Sequence, residues 1–178
     1  MSTELTHLEC HPIMPCAWVD ALTVSWTRSQ QGFTITYRLS GDLSELVWPA
    51  QDGGQRRDEL WKTTCFEAFF RAQDSEHYVE FNFAPNGDWA AYRFSGYRSN
   101  QTQLTCSPPV IESSFDKNTA IVQVTLPEGF PEHVGGPILF GPTGILEAAD
   151  GTHSFWALHH ALIKPDFHHI ETFKMTLD

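Results

Sequence analysis

Residues 61–98 read WKTTCFEAFFRAQDSEHYVEFNFAPNGDWAAYRFSGYR, and this stretch decides the predicted fold. Its second half contains two segments of alternating apolar and polar residues, 78–83 and 89–94, joined by Ala-Pro-Asn-Gly-Asp. Successive side chains of a strand point to opposite faces, and a short connection rich in Asn and Gly is typical of a β-hairpin. The stretch therefore predicts two paired antiparallel strands at the centre of the molecule.

The hydrophobic pattern also predicts the register of this hairpin. Placing Ala84 opposite Trp89 puts the other large apolar residues on one face, and the same register sets Glu80 opposite Arg93. The Pro-Asn-Gly sequence also suits a type I turn with a bulged glycine, which shifts the pairing by one residue. We expect the hydrophobic pattern to prevail, because the shifted register carries Arg93 to the buried side, where an unpaired charge is costly.

In the expected register, one face of the hairpin carries Glu80, Asn82, Trp89 and Arg93. Glu67 alternates with apolar residues on the preceding strand, and we expect it to point the same way. Carboxylates, an amide, a guanidinium and an indole on one sheet face form a platform suited to a polar ligand. The alternative is a solvated face with one cross-strand ion pair.

The composition favours a single β-rich domain. The 178 residues include thirteen Phe and six Trp, and glycine and proline punctuate short segments along the whole length. This distribution predicts one all-β sandwich domain over residues 1–178, large enough to bury a substantial core. The formal charge of −11 argues against nucleic acid and against an anionic membrane surface as partners.

The start of the sequence lacks the positively charged and apolar regions of a secretion signal. No apolar run approaches the length of a bilayer-spanning helix. The four cysteines have no Cys-x-x-Cys spacing, so we expect free thiols in a reducing compartment. These observations predict a cytoplasmic protein.

Candidate catalytic chemistry is sparse. Glu67 and Glu80 supply the two facing carboxylates that a glycoside hydrolase needs, although such pairs also occur on polar sheet faces without catalysis. No Gly-x-Ser-x-Gly motif or phosphate-binding loop is present. Histidines cluster near the end of the chain, but their spacing matches no zinc signature, and we expect surface or hydrogen-bonded roles for them: His153, His159, His160, His168 and His169.

Two polar loops are further candidates for functional segments. Residues 49–59, PAQDGGQRRDE, form the most polar loop and deliver charge to the start of the central stretch, either for function or as a solvated connection. Asp166-Phe167-His168 is predicted as a structured turn in which the aspartate orients backbone amides or a histidine.

Three segments in order resemble the DOMON-like family of bacterial proteins, which is related to family-nine carbohydrate-binding modules: LWKTTCFEAFF (60–70), YVEFNFAPNGDWAAYRFSGYR (78–98) and SFWALHHALIKPDFH (154–168). The resemblance extends from about residue 56 to the end of the sequence. It implies an antiparallel β-sandwich of about ten strands, jelly-roll or immunoglobulin-like, with a ligand site on one sheet. It also implies non-catalytic binding of a sugar or, in other branches, of haem.

In the sugar-binding relatives a saccharide lies between two tryptophans, with a glutamate one strand-length after the first. By this resemblance Trp61 and Glu67 match the first tryptophan and the glutamate, and Trp156 matches the second tryptophan. Arg98 or Arg93 matches the arginine of that site. The alternative for both tryptophans is a place in the core.

We therefore expect a non-catalytic domain that binds a soluble saccharide or a nucleotide-sugar-like ligand without a cofactor. The expected ligand-binding residues are Trp61, Glu67, Glu80, Asn82, Arg93, Arg98 and Trp156. One alternative is a haem domain with Met14 and either His153 or His159 as axial ligands, although neither lies in a matching motif. Others are a glycoside-acting or metal-dependent enzyme, and a domain whose sheet edge pairs with a second copy in a homodimer.

Overall fold

The computed structural model describes residues 5–30, 32–50 and 52–177, and these residues form an all-β fold. Its twelve strands are β1 (Thr6–Cys10), β2 (Val19–Ser29), β3 (Gly32–Gly41), β4 (Cys65–Ala72), β5 (Tyr78–Phe83), β6 (Trp89–Phe94), β7 (Thr102–Gln103), β8 (Val110–Phe115), β9 (Thr119–Thr125), β10 (Ile138–Glu147), β11 (His153–Ala157) and β12 (Met175–Leu177). Single turns of 3-10 helix span Leu43–Glu45, Leu60–Lys62, Glu132–Val134 and Ile170–Thr172. Within these ranges no helix is long and apolar enough to cross a bilayer.

The strands form one continuous antiparallel sheet that curls. The hydrogen-bonded order is β7-β6-β5-β4-β10-β11-β1-β2-β3-β9-β8, and β12 pairs with β10 beside this path. β1 joins the two halves, because it pairs with β11 on one side and with β2 on the other. The prediction of an all-β antiparallel fold is confirmed. The separate sheets of a sandwich are not seen, and the described residues contain twelve strands rather than about ten.

The main core lies inside the curl, between the half containing β2, β3 and β9 and the half containing β4, β5 and β10. Phe33 of β3 meets Phe70 of β4 edge to face, with ring centroids 5.9 Å apart. The Tyr37 hydroxyl of β3 donates a 2.6 Å hydrogen bond to the backbone oxygen of Glu67 on β4. Burial of these large side chains is the main force that closes the sheet on itself.

The register predicted for the central hairpin is wrong by one residue. Val79 pairs with Arg93 and Glu80 pairs with Tyr92, so Arg93 shares a face with the core residues of β5. The turn, and not the hydrophobic pattern, determines the register. Gly87 has a φ of 97°, and the backbone amide of Ala84 donates a 2.8 Å hydrogen bond to the backbone oxygen of Asp88. The expected cost of burying Arg93 does not arise, because this residue lies near the end of its strand and is exposed.

The corrected register moves Trp89 to the core side of β6. Trp89 is 5% exposed and belongs to the main core, with the Arg56 guanidinium 4.4 Å from its ring centroid. The outward face of the hairpin therefore carries the alternate residues, from Tyr78 on β5 to Phe94 on β6. Phe167 and Phe173 pack over one end of this face in a second apolar cluster. The rest of the face is available for a site.

Candidate functional site

A pocket of about 710 Å³ opens on the outward face of β4, β5, β6, β10 and β11. The sheet forms its floor, and connecting segments on both sides form its rim. A volume of this size suits a small ligand. The lining residues are Asp58, Glu59, Trp61, Glu67, Glu80, Asn82, Tyr92, Phe94, Arg98, Gln101, Thr102, Gln103, Ile145, Phe155, Pro165, Asp166, Phe167 and His168.

The centre of the floor is polar. Glu67 of β4 is the ladder partner of Asn82 on β5, and Glu80 lies two residues before Asn82 on the same face. Glu67 is 3% exposed and Glu80 is 6% exposed. The Asn82 amide donates to Glu80 Oε1 over 2.6 Å, and the Thr143 hydroxyl donates to Glu67 Oε2 over 3.2 Å. Two buried carboxyl groups thus lie near each other, each with one side-chain hydrogen-bond donor.

Burial shifts the titration of both floor carboxyls. The pKa of Glu67 is raised well above its ordinary value, by desolvation first and by the charge of Glu80 second. Desolvation raises the pKa of Glu80 to about 7, against the hydrogen bond from Asn82 and the charge of Arg98. Near neutral pH the pair therefore retains a proton for part of the time.

His168 lies beside the floor. Its Nδ1 is 2.8 Å from the Tyr78 hydroxyl, and its Nε2 is 3.8 Å from Glu80 Oε2. Desolvation, followed by the charge of Arg98, lowers the pKa of His168 to about 4. The imidazole is therefore neutral at neutral pH, and its approach to Glu80 is not an ion pair there.

One aspartate ties two rim segments together. Arg98 Nη2 donates to Asp166 Oδ1 over 2.8 Å, and the Tyr97 hydroxyl donates to the other carboxylate oxygen of Asp166. Burial opposes ionisation of Asp166, but the hydrogen bonds from Tyr97 and Arg98 prevail and lower its pKa. The same carboxylate accepts a 3.1 Å hydrogen bond from the backbone amide of His168. This tether holds the segment after β6 against the segment before the last strand.

Aromatic side chains form much of the remaining wall. Trp61 stands at the rim with 51% of its surface exposed. The Tyr92 hydroxyl donates to Asp58 Oδ1 over 2.5 Å, which joins the floor to the polar loop that precedes β4. Phe94 and Phe155 also line the pocket. A polar floor with aromatic walls suits a ligand that has both apolar faces and hydrogen-bonding groups.

The pocket brings together five of the seven residues expected from the sequence: Trp61, Glu67, Glu80, Asn82 and Arg98. Two others lie elsewhere. Arg93 is on the core side of β6 because of the register shift, whereas Arg98 lines the pocket. Trp156 alternates with the outward residues of β11, is 5% exposed and packs in the main core. The two tryptophans do not flank one cleft.

The sequence reasoning missed Tyr92, Asp58, Asp166 and His168 as members of one site. The register expected from the hydrophobic pattern puts Tyr92 on the buried face, whereas the observed pairing with Glu80 turns it outward. The polar loop of residues 49–59 was a signal for Asp58, since its charge does reach the pocket. The predicted turn at Asp166 is present and orients the His168 amide, but nothing in the sequence indicates that it lies beside β5.

Of the residues named for the haem and metal alternatives, His168 lines the pocket and the haem candidates do not. The pocket lining includes neither Met14 nor His153 nor His159. His153 Nε2 lies 3.0 Å from the backbone oxygen of Lys62, and His160 Nε2 lies 2.8 Å from that of Glu9. Across the described part of the chain, no group of three or more His, Cys, Asp or Glu side chains is arranged to hold a metal ion.

Comparison with known proteins identifies the fold but no family. No protein-family model matches the chain, and no curated protein is a significant match. A crystal structure described as that of a "putative carbohydrate-binding protein" from Bacteroides uniformis ATCC 8492 is similar, with a TM-score of 0.68 and 13% sequence identity. The match covers 96% of this chain and 84% of that chain. At this identity, the similarity shows a shared fold.

Proposed function

We propose that this chain is a binding protein for a small saccharide, which it holds unchanged in the pocket on the outward face of the sheet. The observation that carries the proposal is the composition of that pocket. An exposed indole, Trp61, stands at the rim, and the buried polar groups of Glu67, Glu80 and Asn82 form the floor. A pyranose has apolar CH faces that pack on an indole and hydroxyls that bond carboxyl and amide groups.

The fold supports this class of function. A protein described as a putative carbohydrate binder shares it over almost the whole chain. The three sequence segments quoted above favour the DOMON-like family and its sugar-binding relatives, and we propose that membership. Five residues inferred from that resemblance or from the polar face lie together in the pocket: Trp61, Glu67, Glu80, Asn82 and Arg98. The binding mode differs from that of the relatives, because Trp156 is in the core and one tryptophan serves the site.

Calorimetric titration with mono- and disaccharides tests the proposal. One or two stacked rings and a few solvent-competing hydrogen bonds give about −4 to −8 kcal/mol, which is a micromolar to millimolar dissociation constant. Trp61→Ala should weaken binding by about tenfold or more. Its melting temperature should stay within about 2 °C of the original, because half of this side chain is already exposed.

Trp18→Ala is the matched control. Trp18 is 36% exposed and is not among the pocket residues, so its removal should leave saccharide binding intact. The proposal fails if no saccharide produces a binding heat. It also fails if Trp61→Ala binds as tightly as the original protein.

A glycoside-acting enzyme is the second candidate, and one observation favours it. Glu67 and Glu80 form a buried pair, and the pKa of Glu80 is raised to about 7, as a general acid requires. Prolonged incubation with a bound oligosaccharide, followed by NMR of the sugar, separates the two functions. Unchanged sugar supports the binding protein. Cleavage that is lost in Glu80→Gln supports the enzyme.

A further inference from the structure

The charges that line the pocket are strongly unbalanced. The acidic residues Asp58, Glu59, Glu67, Glu80 and Asp166 face only one arginine and one histidine, Arg98 and His168. The exposed acids have partners: Asp58 accepts the Tyr92 hydroxyl, and Glu59 pairs with Lys62 at 2.7 Å just outside the lining. The imbalance is therefore concentrated on the floor.

Both basic residues of the lining are already engaged. Arg98 pairs with Asp166 at 2.8 Å and is half exposed at the rim. His168 contacts the Tyr78 hydroxyl and is neutral near neutral pH because burial lowers its pKa to about 4. In the described ranges, no lysine or arginine forms an ion pair with Glu67 or Glu80. The charge of Arg98 therefore acts on the two floor carboxyls without a direct ion pair, because its direct partner is Asp166.

A buried carboxylate without a direct ion-pair partner is unfavourable, so the pair retains a proton near neutral pH, and a cationic ligand can take the place of that proton. Glu67 uses one oxygen to accept from Thr143, and Glu80 uses one to accept from Asn82. An ammonium group carries three N–H donors and forms strong, charge-assisted hydrogen bonds to carboxylate oxygens. The aromatic walls add favourable surroundings for a cation, because ring faces are negative. An anionic group beside the floor is repelled by the ionised carboxylate, and Arg98, the arginine of the lining, is already paired with Asp166.

Resting on the proposed function, we propose that the pocket selects saccharides by charge: it prefers a cationic amino sugar to the neutral parent sugar and rejects anionic sugars such as uronates. The floor pair Glu67 and Glu80 is the selecting element. The ammonium takes the place of the proton that the pair otherwise retains, while the sugar ring packs beside Trp61. An amino sugar is therefore a better candidate than the nucleotide-sugar-like ligand expected from the sequence analysis. The phosphates of a nucleotide sugar are anionic and would be disfavoured near the same two carboxyls.

The test is calorimetric titration at about pH 7 with three matched series, each made of an amino sugar, its neutral parent and the uronate: the gluco, galacto and manno forms. In any series that binds, the amino sugar should bind at least about tenfold more tightly than the neutral sugar, which is about 1.4 kcal/mol. The uronate should give no measurable binding. Equal affinity for the amino and neutral sugars, or binding of a uronate, overturns the charge selection while leaving the saccharide site intact.

Two variants test whether the floor carboxyls cause the preference for the amino sugar. Glu67→Gln and Glu80→Gln keep side-chain shape and remove charge, and each should bring the two affinities to within about threefold of each other. Glu112→Gln removes the same charge on exposed β8, distant along the sheet, and should keep the full preference. A preference that survives in both floor variants overturns the assignment. Absence of binding by every sugar contradicts the proposed function itself, and this inference with it.

Discussion

Glu80 lies at the centre of the pocket floor, where burial raises its pKa from an ordinary 4.5 to about 7. Between these two pH values the folded protein holds more protons on this group than the unfolded chain does. The contribution of Glu80 to stability is therefore greatest below about pH 4.5 and is lost as the pH rises through about 7. The contribution of His168 to stability has the opposite pH dependence. Its pKa is lowered to about 4, so this contribution is lost as the pH falls toward that value.

We expect Glu80→Gln to stabilise the protein near pH 7 and not at pH 4. The gain is on the order of 3 kcal/mol at most, at about 1.4 kcal/mol per pKa unit. Urea unfolding of both proteins at several pH values measures the difference, and subtracting the two curves removes most of the His168 effect. Glu112→Gln is the control and should show little change at any pH. A constant difference between the two proteins would contradict the raised pKa.

The central hairpin owes its register to its connection, and Gly87 is the residue that the connection requires. With a φ of 97°, it occupies a region that side chains other than glycine rarely adopt, and a Cβ there would lie 3.3 Å from the Gly54 nitrogen. The turn fixes which face of β6 looks outward, and hence whether Tyr92 or Arg93 reaches the pocket.

Gly87→Ala should destabilise the protein by about 1 kcal/mol or more, since alanine is strained at positive φ. Gly96→Ala is the matched control. Its φ is not positive, and an added Cβ would meet nothing nearer than the Glu76 carboxylate at 3.9 Å. Chemical unfolding of the two variants measures the contrast. Equal destabilisation by the two variants would mean that the positive φ of Gly87 is not the cause of the lost stability.

The rim depends on two segments tied by Asp166. Asp166→Ala removes its bonds to Arg98, Tyr97 and the His168 amide, and should speed amide exchange in residues 97–103 and 165–168. The melting temperature should also fall, because the Asp166 side chain is only 10% exposed and accepts three hydrogen bonds. Hydrogen exchange followed by mass spectrometry measures both segments.

Glu132→Ala is the control for this tether. It removes an exposed contact to Arg28 of 3.1 Å at a place outside the pocket lining. Exchange at the rim should be unchanged in this variant. Unchanged exchange at the rim in Asp166→Ala would show that the sheet alone, and not the tether, holds these segments.

Across the whole molecule, one continuous sheet encloses one main core that both halves share. Neither half can bury its large side chains without the other, so we expect unfolding in urea as a single cooperative transition. Far-ultraviolet circular dichroism and tryptophan fluorescence should give the same midpoint. Phe33→Leu, in one half, should lower both midpoints equally. Two separated transitions would show that the halves fold independently.

The sequence by itself determined the all-β class, the central hairpin and the convergence of Glu67, Glu80 and Asn82 on one sheet face. These features follow from local alternation, because a strand's side chains point to opposite faces whatever surrounds it. The same alternation failed for the register, since a five-residue connection can shift the pairing by one residue. The expectation that Trp156 lines the site fails for a different reason. It rests on a resemblance in sequence, which does not specify the face of β11 on which the side chain lies.

Only the tertiary structure decided which distant segments complete the pocket. Asp58, Arg98 and His168 come from three connections, and their meeting depends on how the curled sheet places its strands. The shifted pKa values of Glu80 and His168 also arise there, because desolvation depends on everything packed around a group rather than on its neighbours in the chain. Strand alternation is a local property of the backbone. The enclosure of the pocket, and the protonation states of the buried groups in it, depend on the whole folded chain.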